Sequence, residues 1–198
     1  MILWILLGAV LAFFLYWRVW FLRRPRRTIP KNGVVSPANG KLMKIIPFHD
    51  ETAVVPKGML GEVNVLTKDV AKEGYILVIR LTPLDVHYQR APVSGAVANV
   101  KYRKGTFKNV VSTNAAYGAF ENEKNEILLD GTFPMKVVQV AGIACRRIRC
   151  DVKKDDVVKK GDVIGLINFG SQVLVILPKK QLQVQEGDYL VDGETVLV

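Results

Sequence analysis

The chain is poor in the residues that carry most enzyme and metal chemistry. Its 198 residues include two histidines and two cysteines. No histidine or further cysteine stands near Cys145 and Cys150 at zinc-ligand spacing, so no metal site is expected. The two cysteines are five apart in Ala144-Cys145-Arg146-Arg147-Ile148-Arg149-Cys150. On a strand that odd separation places them on opposite faces, poor geometry for a mutual disulfide. Two reduced, packed thiols are expected, which suits a cytoplasmic domain. Acid is missing from one end: the first 31 residues hold none, while Arg18, Arg23, Arg24, Arg26, Arg27 and Lys31 lie there. Those six supply more than half of the formal +10, and the rest of the chain carries 22 basic residues against 18 acids. The basicity is a local feature. No basic stripe with interleaved aromatics stands out beyond it, so nucleic acid is not an expected partner.

Charge of either sign is absent from Met1 to Trp17, and Val19, Trp20, Phe21 and Leu22 follow Arg18. Counted through Leu22, with Arg18 snorkelling to the interface, the run is long enough to span a bilayer. A cleaved signal peptide would want a basic n-region and a small-x-small cleavage site, and neither is present. A retained, single-pass anchor in the cell membrane is expected, with the basic cluster and the domain on the cytoplasmic side. The organisation reads as anchor and basic flank over 1–24, a linker with Pro25 and Pro30 over 25–32, and one domain over 33–198.

Helical periodicity is weak beyond the anchor. Val63 to Ala71 and Asn114 to Glu121 are the stretches that admit a short helix. Short Val/Ile/Leu-rich runs bounded by Gly, Pro and Asp/Asn predict strands at Gly40–Ile46, Tyr75–Leu81, Ala96–Tyr102, Ile127–Leu129, Met135–Ala141, Val163–Ile167, Val173–Leu177 and Glu194–Val198. The class is mainly β, a barrel or sandwich. A repeat sharpens this: the Val, Asp, Gly, acid and aliphatic residues of Val152 to Ile164 recur in register 32 residues later in Val184 to Val196. Pro37-x-x-Gly40-x-Leu42 and Pro92-x-x-Gly95-x-Val97 form a fainter second pair. The pattern resembles the strand–turn–strand units of lipoyl/biotinyl-like domains and predicts a barrel-sandwich hybrid. A lipoyl- or biotin-carrying role is disfavoured, because neither Met43-Lys44 nor Met135-Lys136 lies between the two halves of the repeat.

Gly170-Ser171 sits between the two copies, flanked by apolar runs, where a strand would bend or bulge. Read as turn chemistry it is unremarkable. Read as chemistry, a Ser hydroxyl can add to the preceding carbonyl and convert the amide to an ester. β-Elimination then severs the chain and leaves a dehydroalanine that hydrolyses to a pyruvoyl group. Gly170 imposes no Cβ on the strained geometry, and Ser171 needs a base to take its proton. With two histidines the choice is small. His49 lies in the polar Pro47-Phe48-His49-Asp50-Glu51-Thr52, a solvated setting, whereas His87 ends the apolar run Leu81-Thr82-Pro83-Leu84-Asp85-Val86-His87, where a histidine is more often a satisfied structural residue than a base.

Several segments, taken in order, resemble the phosphatidylserine decarboxylase family, in its short, archaeal-like branch. They are Phe21 to Pro30, Ser36-Pro37-Ala38-Asn39-Gly40, Asp85-Val86-His87-x-x-Arg90-x-Pro92, Glu121 to Glu126, Gln139-Val140-Ala141-Gly142 onward to Ile148, and Gly170-Ser171. The resemblance implies a membrane-anchored proenzyme that cleaves itself into a β chain of 1–170 and an α chain of 171–198. Its cofactor would be a pyruvoyl group derived from Ser171, its base His87, its substrate the serine headgroup of a phospholipid, and its assembly a homodimer. Longer members have a second histidine where this chain has Arg90. One departure bears on activity: Asn39 stands where the family has an aspartate that orients the histidine. An amide can hold an imidazole but does not stabilise an imidazolium as a carboxylate does. The chain then self-processes with Asn39, or uses another carboxylate such as Asp85, or is a non-processing, catalytically silent module that binds lipid or a partner. Asn39-Gly40 also reads as a plain turn dipeptide.

Overall fold

Beyond the N-terminal run, the longest apolar stretches become strands buried on both faces. In the computed structural model, which describes residues 1–49, 52–53, 66–105, 122–142, 148–168 and 171–198, twelve strands follow an N-terminal helix. They are β1 (Gly40–His49), β2 (Thr52–Ala53), β3 (Glu73–Arg80), β4 (Tyr88–Arg90), β5 (Gly95–Arg103), β6 (Lys124–Asp130), β7 (Pro134–Val140), β8 (Ile148–Cys150), β9 (Val157–Val158), β10 (Val163–Ile167), β11 (Gln172–Pro178) and β12 (Tyr189–Leu190). The long sheet runs β12-β1-β3-β11-β7-β6-β5-β9, with β2 on β1, and curls into a half-barrel; a second sheet runs β4-β10-β8. The mainly β, barrel-like class expected from the sequence is the one found.

β11 is central. Val173, Val175 and Leu177 join one core cluster with Leu77 and Ile79 of β3, while Leu174 and Ile176 join the other with Ile76 and Val78. A strand with a core on each side has no polar face, which is why this stretch reads as an unbroken apolar run rather than an alternation. Ser171 immediately precedes it, and its carbonyl accepts the Leu81 N–H at 3.0 Å.

Seven of the expected strands are found, one with the expected bounds and the others with ends shifted by one to three residues. Glu194–Val198 is the exception. Glu194 and Thr195 are held in a turn by their N–H groups on the Val191 carbonyl, so only the Val35–Val196 bridge remains of a ladder. Of the expected helix at Val63–Ala71, Leu66 and Thr67 are helical and a turn follows; the expected helix at Asn114–Glu121 lies outside the described residues. Lys136 is buried within β7 and ion-paired to Glu126 and Asp69, no hairpin tip for a carrier group.

The repeat is structural. Asp155 and Gly187 both take positive φ, as do Gly161 and Gly193. The carboxylates of Asp156 and Asp188 accept the N–H groups of Lys153 and Gln185, each at 2.9 Å. The expected linker does not hang free: Ile29 packs against both Gly161 and Gly193, and Thr28 donates its N–H to Glu194.

At the N-terminus α1 (Ile2–Leu15) continues into a π-helical turn, Tyr16–Phe21. Together they are long and apolar enough to cross a bilayer.

Candidate active site

Ser171 and His87 are both fully buried, and neither Ser171 Oγ nor His87 Nε2 has a hydrogen-bond partner among the described residues. Leaving such groups unpaired costs on the order of 1–3 kcal/mol each, so the arrangement is not favoured by stability alone. One stretch of backbone ties them together. Residues Leu81 to His87 begin where the Leu81 N–H meets the Ser171 carbonyl and end where the His87 carbonyl accepts the Ile167 N–H at 3.2 Å. Ile167 and Ser171 are the two ends of the segment that contains Gly170, which itself lies outside the described residues. Asn168, in that segment, also has a buried, unpaired Oδ1.

His87 is held from behind. Its Nδ1 is 2.9 Å from the Asp85 carbonyl, which fixes the ring and leaves Nε2 as the reactive nitrogen. Burial pushes its pKa down to about 4; the Asp85 carbonyl and carboxylate oppose that shift, and the positive charge of Arg23 adds to it. At neutral pH the imidazole is uncharged, the form a base requires. The His87 carbonyl also accepts the Gln89 side-chain amide at 2.7 Å, and Gln89 is in turn bonded to Gln139, all three residues being buried.

The Asp85 carboxylate does not touch the imidazole. One oxygen accepts the Thr82 N–H and hydroxyl at 2.6 and 2.7 Å, and the other accepts the Tyr189 hydroxyl. Burial first, then this bond, raises the Tyr189 pKa. Asn39 stands one step further back. Its Oδ1 accepts from Arg27 at 3.0 Å and from the Asp192 N–H at 2.9 Å, and its Nδ2 lies 3.4 Å from the Tyr189 hydroxyl. From Asn39 to His87 the path runs through Tyr189 and Asp85. Asp192, fully buried, pairs with both Arg27 and Arg90.

Tyr189, Asp192 and Arg27 are site neighbours that sequence reading missed. The faint signal was the repeat, since Tyr189 and Asp192 fall at Val157 and Lys160 in the other copy. His49 is exposed and faces Glu73 at 3.4 Å. Cys150 is a free thiol whose Sγ lies 3.1 Å from the Val152 carbonyl; Cys145 lies outside the described residues.

The N-terminal apolar helix reaches this site. Phe21 is fully buried with its ring centroid 4.1 Å from that of His87. Tyr16 and Arg23 donate to the carbonyls of Pro83 and Leu84 at 2.6 and 2.7 Å, and Trp20 Nε1 reaches Leu84 at 3.3 Å.

A family model described as phosphatidylserine decarboxylase matches residues 14–198. A phosphatidylserine decarboxylase proenzyme of Saccharopolyspora erythraea is 37% identical over 197 residues, 96% of this chain and 75% of that protein. A proenzyme of the same name from Geotalea uraniireducens is 37% identical over 199 residues, 98% of this chain and 84% of that protein. One from Carboxydothermus hydrogenoformans is 33% identical over 196 residues, 96% of this chain and 83% of that protein. With a fold that is mainly β and with nearly its whole length matched, the chain belongs to the phosphatidylserine decarboxylase family.

Proposed function

We propose that this phospholipid-serine decarboxylase matures by breaking its own chain between Gly170 and Ser171, and then converts a phosphatidylserine-type lipid to the phosphatidylethanolamine type at the membrane surface. The observation that carries the reading is the pair of buried, unpaired reactive atoms, Ser171 Oγ and His87 Nε2, at the two ends of one short stretch of backbone.

Neutral His87 takes the Ser171 hydroxyl proton as Oγ adds to the Gly170 carbonyl; the C–N bond opens and an ester replaces the amide. Removal of the Ser171 α-proton then expels the Gly170 carboxylate, closing the β chain at 170. Water replaces the nitrogen at the new terminus and ammonia leaves. The unpaired Ser171 position at the mouth of the central strand suits the pyruvoyl group so made, held covalently by the chain itself. That group supplies an electron sink for loss of CO2 from the substrate headgroup. Asp85, oriented by Thr82 and Tyr189, is the carboxylate that serves His87 here, acting through its carbonyl at Nδ1 and its charge. Asn39 supports Tyr189 and does not need to touch the imidazole.

The anchor holds the site at the bilayer, and the six basic residues of the first 31 place the domain on the cytoplasmic side.

Mass spectrometry of the purified full chain tests this. Wild type should give two chains, the smaller beginning with a blocked, pyruvoyl terminus at 171. Ser171→Ala should remain single, and His87→Ala should cleave about 10²–10⁴ times more slowly. A wild-type chain that stays whole, with Asn39→Asp also whole, would sink self-processing and favour the silent lipid-binding module.

A further inference from the structure

The residues from Ile2 to Leu15 are exposed along their whole length, and in the turn that follows Phe21 alone is fully buried. A bilayer anchor needs no buried side chain at its end, so the burial of Phe21 calls for a separate reason. The helix widens to a π-turn at Tyr16–Phe21, a distortion that occurs often at functional sites. Trp17 stacks on Phe21 with centroids 4.6 Å apart and planes within 9°. Tyr16, Trp20 and Arg23 pin the turn to the Pro83 and Leu84 carbonyls, on the loop that leads to His87. The ring that results lies against the imidazole.

We propose that Phe21 is a positioning residue for His87: its ring roofs the imidazole, so that the base is completed only when the membrane anchor is docked on the Leu81–His87 loop. This rests on the reading of His87 as the base. Among the described residues the groups facing His87 are few. Its own loop presents the Asp85 carbonyl and carboxylate, the latter bonded to Tyr189 of β12. The anchor side presents Phe21 and, beyond it, the Arg23 charge; β10 presents the uncharged Ile167 amide. Burial is the largest cause that keeps this histidine neutral, and Phe21 is the aromatic side chain in contact with its ring. Without the roof, water reaches the imidazole and the charged form becomes accessible near neutral pH.

The test is a titration of the full-length Ser171→Ala chain in phosphatidylcholine nanodiscs, with ¹³C/¹⁵N-labelled histidine. The chain has two histidines, so two sets of ring signals appear, and exposed His49 is an internal reference. With Phe21 intact, His87 should titrate at about 4. Phe21→Ala should raise the midpoint by about one to two pH units, a change on the order of 10- to 100-fold in the charged fraction at neutral pH. Phe21→Leu, which keeps an apolar side chain but not the ring face, should give a smaller rise. Arg23→Gln, which removes the charge and leaves the roof, should give a rise smaller than that of Phe21→Ala. An unchanged His87 midpoint in Phe21→Ala overturns the proposal; if that variant does not fold, an unchanged midpoint in Phe21→Leu does so. The measurement is made in a chain that cannot cleave. A wild-type protein that stays single would therefore count against self-processing and leave this result untouched.

Discussion

Residues 36–42 with 184–196, and residues 91–97 with 152–164, form two copies of one structural unit that have been put to different uses. The scaffolds share many of their bonds. Gly40 pairs with Leu190 as Gly95 pairs with Val158. β1 bulges between Leu42 and Lys44, β5 between Val97 and Asn99. The Leu42 N–H donates to Asp188 and the Val97 N–H to Asp156, each at 2.8 Å. Even the side-chain cap of the second turn is shared: the Asp192 N–H donates to Asn39 Oδ1, and the Lys160 N–H to Ser94 Oγ, both at 2.9 Å. The side chains at equivalent positions then diverge. Val157 and Lys160 face outward in one copy. In the other, Tyr189 reaches Asp85 and Asp192 is buried between two arginines. The comparison separates two jobs at position 39. As a turn cap it needs only an acceptor, which Ser94 also supplies; as a neighbour of Tyr189 it belongs to the site.

The difference between the copies is largest at Asp192. Removing it by Asp192→Ala should leave Arg27 and Arg90, both mostly buried, without their shared carboxylate. A loss of about 3–5 kcal/mol is expected. Lys160→Ala, at the matching place, should stay within about 1 kcal/mol, since it removes bonds to the Lys31 and Gly33 carbonyls at the surface. Denaturant unfolding of the two variants in the same detergent measures both. Equal losses would mean that the buried triad is not what distinguishes the copies.

A smaller effect comes from pH. His87 stays neutral in the fold down to about 4, while in the unfolded chain it titrates near 6.5. Between those values the unfolded state binds more protons, so stability is complete above pH 6.5, falls as pH drops toward 4, and levels off below. The full loss is on the order of 3 kcal/mol. Unfolding free energy measured from pH 7.5 to 4 should show this slope in wild type and lose most of it in His87→Gln.

How far the sequence reached follows the same division. The scaffold was legible because turns are local: Asp and Gly at fixed offsets report positive φ and Asx-type capping without knowledge of the partner strand. The double-faced core of β3 and β11 was legible as unbroken aliphatic runs, and the N-terminal apolar helix by its length and lack of charge. Ser171 and His87 were nominated by the resemblance of their segments to the family, since residue type alone reads them as a turn serine and a structural histidine. The support around them was not legible. Tyr189 meets Asp85 across 104 residues, and Arg27 meets Asp192 across 165. No spacing rule connects such pairs. Segment 25–32, with its prolines and charges, has the composition of a linker; Ile29 between the two turn glycines gives it a packed place. Glu194–Val198 has strand-like residues, but a turn closed on Val191 uses the backbone groups a ladder would need.

The finest distinction is at position 39 itself. Asn39→Ser should still cap the Asp192 turn, as Ser94 caps its counterpart, and should change stability by about 1 kcal/mol or less. It loses the Nδ2 contact to Tyr189, so cleavage at Ser171 should slow several-fold while Ser94→Asn, made in the copy without the site, leaves the cleavage rate unchanged. Asn39→Asp keeps the acceptor for the Asp192 N–H and adds a charge that Arg27 can meet at its present 3.0 Å bond. Because that charge reaches His87 only by way of Tyr189 and Asp85, the expected gain in cleavage rate is less than about tenfold, far below the several orders of magnitude that a directly bonded carboxylate gives a catalytic histidine. Single-turnover cleavage assays across wild type and the two position-39 variants give the ranking Asn39→Asp, wild type, Asn39→Ser. A thousandfold acceleration in Asn39→Asp would place position 39 on the imidazole itself and remove Asp85 from the role assigned to it.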